Sequence, residues 1–115
     1  MEARIYHNPR CSKSRQTLEL LQQRGVELEI IEYLKTPPTK ATLKSLLRKL
    51  GLKARDIVRS NEPEYAAAGV KADATEDELL DLIVAHPKLL QRPIVEVGAQ
   101  ARIGRPPERV LELFE

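Results

Sequence analysis

An α/β fold built on a mixed sheet is what this sequence predicts, and three observations predict it. "ARIYH" (3–7) and "LEIIEYL" (28–34) are short apolar stretches flanking a helical pattern, a β-α-β order. The middle of the chain carries helical periodicity with recognisable start and stop residues. Near the end, "RPIVEV" (92–97) and "ARI" (101–103) flank the turn residues "GAQ", a hairpin followed by a helical "PPERVLELF".

Taken in order, the first strand must stop at Asn8-Pro9, because a proline disfavours helix for the residue before it. The pattern is helical from Ser12 to about Gly25, with Leu18 and Leu21 on one face and Gly25 as a C-terminal stop. The second strand ends at Thr36-Pro37-Pro38. Leu43, Leu46, Leu47 and Leu50 then fall at i, i+3, i+4 and i+7, with Thr39 placed to cap and Gly51 to terminate. "ARDIV" reads as a short helix, and "EPEYAAAG" as another with Pro63 in its first turn and Gly69 at its end. Thr75-Glu76-Asp77-Glu78 spells a capping box before Leu79, Leu82 and Ile83, and that helix must stop near His86-Pro87. The hairpin and a proline-started helix close the chain. This order, βαβ … ββα, is that of a thioredoxin-like mixed sheet. The residues from about 39 to 86 form a helical insertion in a single domain spanning 1–115.

Composition narrows the function. The 115 residues suit one modest core, and 42% hydrophobic with 31% charged residues is an ordinary globular mixture. Nineteen basic residues against seventeen acidic ones are too balanced to indicate a nucleic-acid binder. No apolar run approaches the roughly 20 residues of a membrane span, and the N-terminus lacks a signal-peptide core. The lone cysteine excludes an internal disulfide and a multi-thiolate metal site, and it fits a reducing cytoplasm.

That cysteine, Cys11, lies in "HNPRCSKSR", where the first strand gives way to the first helix. Unpaired N–H groups and the positive end of the helix dipole favour thiolate there, and such positions bring a cysteine from about 8.5 to roughly 3.5–7.5. Arg10, Lys13, Arg15 and His7 are read as adding positive charge, and the Ser14 hydroxyl as a donor to the sulfur. With polar or charged residues at 10 and 12–15, the stretch has no apolar face to bury, so a reactive thiol outweighs a structural one. The same helix start is an anion site. Arg59, Arg92, Arg102 and Arg105 are the candidate partners for an oxyanion, since a guanidinium forms paired hydrogen bonds to one. Taken singly, each also fits a solvated surface arginine, but Arg92 and Arg105 flank proline-marked turns at the sheet end.

Five ordered segments now carry a resemblance: "IYHNPRCSKSRQTL", "YLKTPP", "VRSNEPEY", "HPKLLQRPIV" and "RIGRPPERVLELF". Over nearly its whole length the chain resembles the glutaredoxin-coupled arsenate reductases, which are thioredoxin-like with a helical insertion. "NPRCSKSR" and "RIGRPPE" resemble a chromosomal branch of that family most. The resemblance implies that Cys11 is the nucleophile and that Arg59, Arg92 and Arg105 hold the oxyanion. It implies that His7, Ser14 and Arg15 tune the thiolate and shape its loop, and that Pro93 is the cis-proline beside the cysteine. It implies arsenate as substrate, glutathione as co-substrate and glutaredoxin as partner, in a cytoplasmic monomer with no bound cofactor or metal and no nucleic-acid or membrane partner. Two other readings compete. One is a glutathione-dependent thiol oxidoreductase acting on another substrate. The other is a non-catalytic regulator of the Spx type, which commonly switches through Cys-x-x-Cys. Ser14 stands at the fourth position here, so an internal redox switch is impossible.

Overall fold

A computed structural model describes residues 2–114, in two compact units. One unit comprises the residues up to Thr36 together with those from Arg92 onward; the other is Pro37–Gln91.

The first unit is a four-stranded mixed sheet. Its strands are β1 (Glu2–His7), β2 (Glu27–Glu32), β3 (Ile94–Val97) and β4 (Gln100–Ile103), in the order β2-β1-β3-β4. β1 runs parallel to β2, with Ile5 opposite Ile30, and antiparallel to β3, with Ile5 opposite Val95. β3 and β4 form the antiparallel hairpin, with Ile94 opposite Ile103. A parallel neighbour requires a crossover, and helix α1 (Ser12–Gln23) supplies it. The helix ends where Gly25 takes φ 72° and the Val26 N–H returns to the Leu21 carbonyl, a left-handed stop that glycine adopts freely.

Alternation on the strands divides the sheet into two faces. Ile5 and Val95 point to the side where Leu21 of α1 packs with Val110 and Leu113, and all five are nearly or wholly buried. Each such aliphatic side chain contributes about 1.5–3 kcal/mol by leaving water. Arg4 lies on the opposite side, bridging Glu29 at 2.9 Å and Glu96 at 3.1 Å across three strands.

The second unit contains α2 (Lys40–Leu50), α3 (Ala54–Ile57), α4 (Pro63–Ala67) and α5 (Glu76–Ala85), then a 3₁₀ turn at Pro87–Leu89. The local signals behave as the residues require. The Thr39 hydroxyl accepts from the Thr42 N–H, and Gly51 ends α2 at φ 71°. Thr75 and Glu78 exchange both bonds of the capping box. Leu43, Leu46, Leu79, Leu80 and Ile83 are buried, and Lys40 reaches Asp81 at 2.9 Å. The Glu76 carboxylate accepts from the first N–H of α3, that of Ala54.

Two strand ends and the winding of the last helix are among the departures from the sequence expectation. β2 stops at Glu32, because the Glu32 carbonyl accepts from both Lys35 and Thr36 N–H and turns the chain two residues early. β3 starts at Ile94, since Pro93 has no N–H to give a ladder. The final helix, Pro107–Phe114, is 3₁₀ throughout. Among the described residues, no helix is long and apolar enough to cross a membrane.

Candidate functional site

Cys11 is the N-cap of α1, with extended backbone (φ −92°, ψ 123°), and its carbonyl accepts the first helical bond from Arg15 N–H at 3.0 Å. An N-cap side chain sits where the orphan N–H groups of the first turn converge. The sulfur takes that place and is half-buried. Burial pushes the thiol up and is the largest single influence. It is opposed by the Ser14 N–H, by the hydrogen bond and charge of Arg92, and by the Lys13 N–H, and the net result lies below the ordinary value. The two N–H groups act on the sulfur without closing a full capping hydrogen bond.

The loop that presents the cysteine is built on buried polar groups. Asn8 is the pivot: its carbonyl accepts from Cys11 N–H at 3.0 Å, and its Oδ1 accepts from Arg10 N–H at 3.0 Å, an Asx turn. Its own N–H donates to Ser14 Oγ at 3.0 Å. Ser14 Oγ also shares a hydrogen bond with His7 Nδ1 at 2.7 Å. His7, Asn8 and Ser14 are all buried, so the loop does have an inward face, and that face is polar. Arg15 closes the outside by donating from Nη1 to the Pro9 carbonyl at 2.9 Å.

This geometry corrects two expectations. The Ser14 hydroxyl bonds Asn8 and His7 and makes no bond to the sulfur, so Ser14 acts on Cys11 through its backbone N–H. His7 is not a cation at neutral pH. Burial lowers it most, Glu32 raises it, and Arg15 lowers it, with a net shift downward from 6.5. It serves the loop as a neutral hydrogen-bond partner.

Of the candidate arginines in the first unit, Arg105 and Arg92 act on the cysteine. Arg105 Nη2 lies 3.5 Å from Cys11 Sγ, while its Nε donates to the Arg92 carbonyl at 2.6 Å. Arg92 also favours the Cys11 thiolate. The Arg92–Pro93 peptide bond is cis, and Arg105–Pro106 is cis as well, a second one that the sequence does not announce. Arg102 goes elsewhere: its Nε pairs with Glu112 at 3.0 Å and Nη1 donates to the Ala101 carbonyl. Arg59 belongs to the second unit. There its Nε pairs with Glu62 at 3.1 Å and its Nη1 donates to Gln91 Oε1 at 2.9 Å, with the Arg59 and Glu62 side chains only 14% exposed.

Sequence reasoning passed over Asn8, Thr17 and Gly104. Asn8 carried a signal, since asparagine before a proline turn commonly bonds the backbone two residues on. Thr17 and Gly104 carried none, because their importance is a contact 87 positions apart in sequence. No group of three or more His, Cys, Asp or Glu side chains among the described residues could hold a metal ion. Chemically, the centre offers a thiol held below its ordinary pKa, with Arg105 against it and Arg92 favouring its thiolate, an arrangement that can attack an anion.

The ArsC family model matches residues 6–113. The chain is 49% identical over 114 residues to the uncharacterized protein YfgD of Escherichia coli (strain K12), covering 97% of this chain and 96% of that one. It is 45% identical over 111 residues to an arsenate reductase of Neisseria meningitidis (strain MC58), covering 95% of each. The solved arsenate reductase from Vibrio cholerae superposes with a TM-score of 0.94 at 46% identity, covering 97% of both chains. With a thioredoxin-like sheet, a cysteine at the head of α1 and this match along almost its full length, the chain belongs to the ArsC family.

Proposed function

We propose that this protein is an arsenate reductase that works with one cysteine and borrows the second sulfur from glutathione. The observation that carries the reading is the Cys11 sulfur, held below its ordinary pKa with Arg105 Nη2 3.5 Å away. The names of the Neisseria and Vibrio relatives support arsenate as the substrate.

The Cys11 thiolate attacks arsenic, an As–O bond breaks, and the oxygen leaves as water after protonation, giving a Cys–S–As(V) adduct. Arg92 and Arg105 offset the oxyanion charge that otherwise repels a thiolate. By the family resemblance Arg59 is the third such arginine, and Glu62 and Gln91 hold its guanidinium in one orientation. Glutathione thiolate then attacks the Cys11 sulfur. The S–As electron pair stays on arsenic, which becomes As(III) and leaves as arsenite. Two electrons have moved, and Cys11 remains as a mixed disulfide with glutathione. Glutaredoxin removes the glutathione by thiol exchange, which regenerates Cys11.

The sequence holds one cysteine, so the resolving sulfur has to come from another molecule. A regulator switching through an internal Cys-x-x-Cys is excluded on the same ground. The test is NADPH oxidation coupled through glutathione reductase and glutaredoxin, with and without arsenate. Arsenate-dependent oxidation is expected. Without glutaredoxin, intact-mass spectrometry should show one glutathione on the protein. Sustained turnover with thioredoxin and no glutathione would overturn the mechanism.

A further inference from the structure

Gly104 is buried beside the centre, directly before Arg105, and its backbone is not left-handed. What requires glycine here is space. A Cβ at 104 would lie 2.6 Å from Thr17 Oγ1, 2.8 Å from Pro93 Cγ and 3.2 Å from Thr17 Cγ2. Contacts below 3 Å with a proline ring and a wholly buried threonine cannot be accommodated in place. Thr17 cannot swing aside cheaply, since its Oγ1 donates to the Lys13 carbonyl one turn back, at 2.8 Å. The 104 N–H is also engaged, donating to the Pro93 carbonyl at 2.9 Å and extending the hairpin by one pair.

We propose that Gly104 is a positioning residue: its bare backbone lets Thr17 of α1 and Pro93 close on the end of β4, and this joint sets how near Arg105 comes to the Cys11 sulfur. The joint connects every part of the centre within the first unit. Thr17 lies on α1, whose start carries Cys11. Pro93 follows Arg92, whose carbonyl accepts from Arg105 Nε. Gly104 precedes Arg105 in the chain. A methyl group at 104 pushes the strand end off α1, and Arg105 moves away with it. The inference rests on Arg105 acting as an anion holder and does not require the anion to be arsenate.

The experiment uses two alkylating reagents of nearly equal size, anionic iodoacetate and neutral iodoacetamide, on the intact protein at a pH where Cys11 is thiolate. Their rate ratio reads the positive charge facing the sulfur, independent of any reductase activity. Gly104→Ala should lower the iodoacetate-to-iodoacetamide ratio about threefold or more, as removal of a focused cation does. Arg105→Ala should lower it to a similar extent, and adding Gly104→Ala to Arg105→Ala should lower it no further. Thr17→Ala combined with Gly104→Ala removes two of the three clashing atoms and should return most of the ratio. If the single variant does not fold, this relieved variant is read alone, and a ratio near that of the parent protein supports the joint. An unchanged ratio in folded Gly104→Ala, additive losses with Arg105→Ala, or no recovery with Thr17→Ala would each overturn the proposal. An inactive arsenate assay with the ratios as expected would instead count against the substrate alone.

Discussion

Ser14→Ala removes one oxygen atom from the inside of the cysteine loop. Ser14 is wholly buried, and its Oγ bonds the Asn8 N–H at 3.0 Å and His7 Nδ1 at 2.7 Å. Both partners stay behind in residues that are 7% and 6% exposed. A buried polar group left without its partner costs about 1–3 kcal/mol. Two such groups put the loss at about 2–4 kcal/mol, since loosening of the loop lets water reach one of them. Small domains lose stability in urea at about 1–3 kcal/mol per molar, so the midpoint should fall by about 1–3 M. Urea unfolding followed by circular dichroism measures this. Ser12→Ala is the control two positions away, with an exposed side chain, and should stay within about 0.5 kcal/mol of the parent. In folded Ser14→Ala, the Cys11 thiol should also rise toward its ordinary pKa, as the Ser14 N–H is no longer held against the sulfur. A urea midpoint within about 0.3 M of the parent protein would refute the buried-network reasoning.

Three further outcomes are expected. Alkylation of Cys11 against pH should show a midpoint below that of free cysteine, and Arg92→Ala should move it upward, because Arg92 favours the thiolate by hydrogen bond and by charge; a midpoint at the free-cysteine value would contradict the site. His7 contributes a pH dependence of stability of definite sign. Its folded pKa is depressed by burial, so between that value and 6.5 the unfolded chain binds the extra proton. Stability is therefore complete above pH 6.5 and declines as pH falls toward the folded pKa, and His7→Gln should flatten that part of a urea-midpoint profile. Lastly, Arg92→Lys and Arg105→Lys keep the charge but lose the planar fork, so arsenate turnover should drop by about tenfold in each while iodoacetamide alkylation changes far less; near-parent turnover in both would return these residues to the protein surface in function.

Much of the second unit is legible in the sequence because its signals are local. Thr39 caps α2 three residues from its partner, Thr75 and Glu78 cap α5 over the same span, and Gly51 ends a helix by its own conformational freedom. Strand ends are less legible. Leu34 continues the apolar run of β2, yet two N–H bonds to the Glu32 carbonyl have already turned the chain. The closing helix has a clear amphipathic pattern, and that pattern does not distinguish 3₁₀ from α winding over Pro107–Phe114.

At the centre, the sequence by itself determined that Cys11 heads a helix, that cations surround it in the chain and that no second thiol is available. These follow from a proline break, a helical period and a count of cysteines. Tertiary structure decided the rest. It chose Arg105 over Arg102, three residues earlier, because Arg102 on β4 pairs with Glu112 whereas Arg105, past the strand's end, reaches a sulfur 94 positions away. It made His7 a neutral partner by burying it, and turned Ser14 inward so that its N–H, instead of its hydroxyl, serves the sulfur. It required Gly104, whose only reason is the approach of Thr17 and Pro93 from distant parts of the chain. Caps and periods are written within a few residues, whereas charge on a sulfur depends on distance and burial, and those exist only after the sheet has brought remote segments together.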